Sequence, residues 1–146
     1  MLSVIVTHGN PVKLAGLLTA LTEAAVEGLV RDVTLVEGAE PRLLDALCEA
    51  TGAKLAADFA QAVAGARGDW LMVVPPDLRL KDGWVERLGD HLRDGPGEAR
   101  LRGMGEGLFR RAPEGLVVAR AKAQASAQGG LQQLSRKLGR GARRIA

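Results

Sequence analysis

The sequence predicts an α/β fold: a single domain with a mostly parallel sheet flanked by helices. Three observations predict it. Short apolar, β-branched runs alternate with longer stretches whose leucines fall at helical spacing. The clearest run, Trp70-Leu71-Met72-Val73-Val74, has no polar residue at all, as expected of a strand covered on both faces. Glycine, proline and asparagine punctuate the boundaries between the two kinds of segment.

Leu2 to Thr7 reads as the first buried strand rather than a signal peptide, since no basic region or small-residue cleavage site accompanies it. His8-Gly9-Asn10-Pro11 breaks that strand, with Asn10 suited to cap the next helix and Pro11 to its first position. Leu14, Leu17, Leu18 and Leu21 define an amphipathic helix. Val33 to Val36 is the second strand, ended by Glu37-Gly38-Ala39-Glu40-Pro41. Leu43, Leu44 and Leu47 mark a second helix that stops near Gly52, and Ala53 to Ala56 is a weak third strand. Asp58 is the expected cap of a third helix carrying Phe59, Ala62, Val63 and Ala66. Pro75-Pro76 terminates the Trp70–Val74 strand, and Asp82 is the expected cap of a helix carrying Trp84, Val85, Leu88 and Leu92. Beyond Asp94 the pattern fades: Leu116 to Ala119 reads as a last strand, Ala121 to Gln128 as helix-forming, and Gly129-Gly130 precedes a basic end. The expected organisation is an α/β domain over residues 1–120 and a helical basic tail over 121–146.

At 146 residues, 47% apolar and 25% charged, the chain suits one globular domain. No apolar run approaches the about 20 residues that span a bilayer. Cys48 is the only cysteine, which excludes an intrachain disulfide and a multi-cysteine metal site and points to a cytoplasmic protein. Charge is divided unevenly: residues 1–114 carry 13 Lys/Arg against 17 Asp/Glu, a net of −4, whereas residues 115–146 carry seven basic residues and no acid. In the tail, Leu131, Leu134 and Leu138 interleave with Arg136, Lys137, Arg140, Arg143 and Arg144. Such a segment suits peripheral contact with the anionic inner face of a membrane through residues 131–146, or docking on the acidic body. It lacks stacking aromatics, so no nucleic acid is expected.

Ligands of open parallel sheets bind beyond the carboxyl ends of the strands, which directs attention to residues 8–11, 37–41 and 75–79. Asn10, Glu37 and Asp77 are the candidate ligand-binding residues there. Each has a plain alternative: a helix cap for Asn10, a solvated carboxylate for Glu37, a turn residue for Asp77. His8 has no evident Asp or Ser partner. Cys48, on a leucine-bearing helix, is expected to be buried and inert. His91 is expected to be exposed, and Trp70 and Trp84 to anchor the core.

Three segments resemble family 2 glycosyltransferases, particularly short bacterial members of the arsenosugar-biosynthesis type. They are Ser3-Val4-Ile5-Val6-Thr7-His8-Gly9-Asn10, then Gly28 to Gly38, then Gly68 to Leu80 with the following Gly83-Trp84, together spanning roughly residues 1–92. The resemblance implies the glycosyltransferase A, or nucleotide-diphospho-sugar transferase, fold with a truncated acceptor half. It implies a nucleotide-sugar donor, a hydroxyl acceptor, Glu37 against the nucleoside, and Asp77 holding Mg²⁺ or Mn²⁺ against the diphosphate. The chain departs from the family pattern where Pro75 and Pro76 replace the first two residues of the Asp-x-Asp motif, and where Pro11 replaces an acid. No general base emerges from Glu98, Glu106 and Glu114. Two functions follow: a glycosyltransferase moving a sugar to an acceptor hydroxyl, or a non-catalytic descendant that binds or scaffolds.

Overall fold

The computed structural model describes residues 1–7, 13–38, 41–95, 97–104, 113–125 and 143–145. In chain order the elements are β1 (Leu2–Val6), α1 (Leu14–Val26), β2 (Val30–Val36), α2 (Pro41–Thr51), β3 (Lys54–Ala56), α3 (Phe59–Gly65), β4 (Trp70–Val74), α4 (Trp84–Asp94), β5 (Ala99–Arg102), β6 (Glu114–Ala119), α5 (Arg120–Ala125) and β7 (Arg143–Arg144). The strands form one sheet in the order β3-β2-β1-β4-β6-β5-β7. β3, β2, β1 and β4 run parallel. β6 is antiparallel to both β4 and β5, and β5 and β7 are parallel, so only β6 is reversed.

β1 and β4 lie at the centre because their sequences have nothing to show to water: every residue of β1 is buried, as are Leu71 to Val74. Alternation then sorts their side chains between two layers. Leu2, Val4, Val6, Met72 and Val74 face a core built with Leu14, Leu17, Leu18 and Leu21 of α1, Leu44 of α2, and Trp84 and Leu88 of α4. Ile5, Leu71, Val73, Leu116 and Val118 face the smaller core of Ala62 and Val63 of α3 and Ala123 of α5. A one-residue shift between Leu2 and Ser3 against β2 lets Val30 and Val33 both pack toward the larger core.

α1 buries Leu14, Leu17, Leu18, Leu21 and Ala24, the expected stripe. It begins at Leu14 with Lys13 in the cap position and no side-chain cap, later than the expected start; Asn10 and Pro11 lie outside the described residues. It ends in a Schellman arrangement: Gly28 at φ 86° donates to Ala25 O, and Leu29 N donates to Ala24 O, both at 3.1 Å. Asp58 caps α3 as expected, its Oδ1 accepting from Gln61 N at 2.8 Å. Asp82 does not cap α4; Gly83, at φ 80°, holds that position without a side-chain bond.

Several boundaries differ from expectation. β2 begins at Val30 because backbone pairing with β1 carries it through the polar Arg31 and Asp32. α2 starts at Pro41, and its Leu43 is exposed while Leu44 is buried. β5 falls in a stretch with no expected strand, although Ala99-Arg100-Leu101-Arg102 alternates strictly, with Ala99 and Leu101 buried. β7 lies where a helical tail is expected, pairing beside β5, with Ile145 N donating to Arg100 O at 3.1 Å. Leu131, Leu134 and Leu138 lie outside the described residues. Among the described residues no helix is long and apolar enough to cross a membrane.

One close approach pins the turn into β4. Gly68 N donates to Ser3 Oγ at 2.7 Å, and a Cβ on Gly68 would stand 2.7 Å from both Met1 O and Ser3 N. Gly68→Ala is therefore expected to destabilise by about 1–3 kcal/mol. Gly16→Ala, on the exposed face of α1 with open space around its Cβ, is expected to stabilise by about 0.5–1 kcal/mol. Urea unfolding of the two variants beside the parent chain checks both signs.

Candidate functional site at the carboxyl edge of the sheet

From β1 the chain winds outward through β2 and β3 in one direction, then returns to place β4 on the other side of β1. The crevice between the carboxyl ends of β1 and β4 is thus the topological switch point, where ligands of open α/β sheets bind. Thr7, just past β1, ties the two strand ends together. Its N donates to Val74 O at 2.9 Å and its Oγ1 approaches the same oxygen at 3.4 Å.

Beyond Val74, the residues Pro75 to Leu78 form a β-turn closed by Leu78 N donating to Pro75 O at 3.2 Å. Pro76 takes the position of that turn which suits proline's fixed φ, and Asp77 follows it, exposed. The turn is anchored from behind. Leu78 is buried against Gly103 and Gly115, where a Cβ would come within 2.6 Å of Leu78 Cδ1 at Gly103 and within 2.8 Å of Val74 Cγ1 at Gly115. Met104 N donates to Arg79 O, and Gly103 N to Pro113 O, each at 2.8 Å. The two prolines therefore give a rigid platform that holds one carboxylate toward solvent at the switch-point edge.

Glu37 stands at the end of β2, its N donating to Ala56 O at 2.8 Å and its side chain exposed. Strand spacing puts the ends of β2 and β4 about 10 Å apart, across β1. The structure thus brings Glu37 and Asp77 to the same edge of the sheet. His8 and Asn10 lie outside the described residues.

Of the three acids considered as bases, Glu106 is outside the described residues. Glu98 is held below the ordinary carboxylate range, first by its hydrogen bond with Lys122 and then by its own backbone amide. It sits at the start of β5, away from the edge. Glu114 is at the edge, but its two oxygens face Arg100 Nη1 at 3.7 Å and Arg144 Nη2 at 3.6 Å. Both oxygens of Glu114 are thus engaged by cations.

Other candidates fall into structural roles. Cys48 is half-buried rather than buried, and burial and then the charge of Asp45 push its thiol up, which keeps it protonated. His91 is half-buried rather than exposed, with Nε2 3.0 Å from Gly97 O. Trp84 is buried and Trp70 packs against the same core. Among the described residues no three His, Cys, Asp or Glu side chains group as a metal site. A small cavity of about 120 Å³ lies at the opposite pole, between Leu18, Leu21 and Thr22 of α1, Val30 of β2, and Thr51 and Ala53. It shares no residue with the switch-point edge.

No family model matches the chain, and no curated protein matches it in sequence. Solved structures do match. The mannosyl-3-phosphoglycerate synthase from Rubrobacter xylanophilus superposes with a TM-score of 0.62 at 17% identity, over 99% of this chain and 65% of that one. The glucosyl-3-phosphoglycerate synthase from Mycobacterium tuberculosis gives 0.62 at 16%, over 99% and 68%. A 4-diphosphocytidyl-2C-methyl-D-erythritol synthase gives 0.65 at 13%, over 99% and 87%. The fold is that of the nucleotide-diphospho-sugar transferases. The match extends over 99% of this chain, which spans only 65% of the length of the mannosyl-3-phosphoglycerate synthase.

The contacts of Leu78 had no signal in the sequence beyond its apolar character, because Gly103 and Gly115 are distant in the chain. Leu78→Ala would empty that space at a cost of about 2–5 kcal/mol. If the side chain anchors the turn, the amides of Leu78 and Met104 also exchange faster than those of β1 in the variant, which hydrogen exchange measures.

Proposed function

We propose that the chain binds a nucleotide-sugar donor across the carboxyl ends of β1, β2 and β4 and transfers the sugar to an acceptor hydroxyl. The observation that carries this reading is the anchored Pro75–Leu78 turn, which presents Asp77 at the switch point of a nucleotide-diphospho-sugar transferase fold. Glu37, exposed at the end of β2, is assigned to the nucleoside, and Asn10 to the loop after β1. One fold neighbour, the glucosyl-3-phosphoglycerate synthase, was solved with Mn²⁺, UDP and glucosyl-3-phosphoglycerate, at a TM-score of 0.59 and 14% identity. That supports a donor of the same class here.

Mg²⁺ or Mn²⁺ fits the residues present in a limited way. Asp77 supplies one exposed carboxylate, and one or two carboxylates plus substrate phosphates suffice for Mg²⁺. When bound, the cation would neutralise charge on the leaving diphosphate. The chain's own contribution is to fix Asp77 on a turn that does not have to reorganise when the diphosphate arrives.

A second reading, a non-catalytic binding or scaffolding protein of the same fold, is favoured by two observations. Pro75 contributes no ligand where the family has an aspartate, and Glu114 is committed to two arginines.

Calorimetric titration with UDP-, GDP- and dTDP-sugars, with and without Mn²⁺, tests the donor site. Metal-dependent binding weakened about tenfold or more by Asp77→Ala is expected, a loss of at least ~1.4 kcal/mol. A folded chain that binds none of the panel refutes the donor site, and binding without turnover on any hydroxyl acceptor supports the second reading.

A further inference from the structure

The far side of the sheet's carboxyl edge carries a concentration of positive charge that the donor loops do not use. In β5, Ala99 and Leu101 are fully buried in the core formed with α1 and α4, so Arg100 and Arg102 share the opposite face. Register extends that face sideways: Arg102 pairs with Glu114 of β6, and Arg100 with Arg144 of β7. Two guanidinium groups thus stand against one carboxylate, and Arg102 is added to them on the same face of β5. Glu114 spends Oε2 on Arg100 and Oε1 on Arg144, leaving Arg102 without a carboxylate among the described residues.

Two features make this more than a solvated charge run. The cluster is partly withdrawn from water: the side chain of Glu114 is 21% exposed and that of Arg100 is 26% exposed, with Arg144 on the rim at 60%. In addition, Arg100 Nε is buried and has no hydrogen-bond acceptor among the described residues. Like charges on paired strands repel, and a buried donor without a partner is unfavourable. Both defects are relieved by the same thing, an anion with several oxygens.

The geometry points to a binding site for a phosphomonoester formed by Arg100, Arg102 and Arg144. Their excess over Glu114 is two positive charges, and a phosphomonoester carries between one and two negative charges at neutral pH. Its three terminal oxygens suit the planar forks of guanidinium groups, which bind phosphate in bidentate fashion. A single carboxylate would leave one of the two charges unmatched. β5 lies two strands from β4, about 10 Å from the Asp77 turn. Naming the phosphomonoester as the sugar acceptor rests on the transfer reading above; the binding site itself does not.

Titration of the full chain with sn-glycerol 3-phosphate, in low-salt buffer without nucleotide or metal, tests the site apart from the donor loops. Saturable binding is expected, weakened about tenfold or more by Arg102→Gln, in line with loss of one charge-assisted hydrogen bond. Glu114→Gln is expected to tighten binding by removing the competing carboxylate, whereas a merely structural ion pair would leave affinity unchanged or lower. Glycerate, the carboxylate analogue, is expected to bind at least about tenfold more weakly than the phosphomonoester. Absence of saturable binding to the parent chain, or equal affinity of a folded Arg102→Gln variant, overturns the site. Equal affinity for glycerate overturns its assignment to phosphomonoesters.

Discussion

The parallel ladder between β1 and β4 is the constraint on which the remaining structure depends. Its register, Leu2 to Trp70 through Val6 to Val74, joins strands 64 or more residues apart in sequence. Because both strands are apolar on both faces, the pair must be covered from both sides. That requirement places α1, α2 and α4 over one face and α3 and α5 over the other. The same ladder creates the switch point, since the chain departs from β1 in one direction and returns on the other side. Thr7 closes the ladder on Val74, so the position of the candidate site follows directly from the most buried part of the sheet.

Chemistry at the carboxyl edge is then a matter of what each strand end presents. β2 and β4 each offer one exposed carboxylate: Glu37, whose backbone N is hydrogen-bonded to β3, and Asp77, on the turn that Leu78 N closes onto Pro75 O. The reversed strand β6 brings its first residues to that edge also, so Glu114 arrives beside β4 already paired with arginines from β5 and β7. The opposite pole has a different character. There Asp32 is engaged by Lys54 at 3.7 Å and by Arg67 N at 3.3 Å, and the small cavity is lined largely by the helix and strand surfaces that make the core.

Local patterns made much of this legible in the sequence. The buried strands, the α1 stripe, the Asp58 cap and the position of Glu37 and Asp77 at strand ends all follow from period, composition and turn chemistry. What was not legible depends on partners remote in the chain. β5 is short and half of it is arginine, so only its pairing with β6 distinguishes it from a loop. Nothing local to Leu116–Ala119 reveals that β6 runs antiparallel. Arg143 and Arg144 read as part of a basic helical tail, yet an open edge on β5 makes two residues of strand out of them. At the site, the Pro-Pro pair looks like damage to a motif. Only the contacts of Leu78 with Gly103 and Gly115 show that it also builds an anchored turn.

The most direct measurement is amide chemical-shift mapping of the ¹⁵N-labelled chain titrated with UDP in the presence of Mg²⁺. If the switch-point edge holds the nucleotide, the perturbed amides cluster at Thr7, Glu37, Asp77 and Leu78, while Thr22, Val30 and Thr51 at the opposite pole stay unmoved. Perturbations confined to Thr22, Val30 and Thr51, or none at nucleotide concentrations in the millimolar range, would contradict a donor site at the carboxyl ends of β1, β2 and β4.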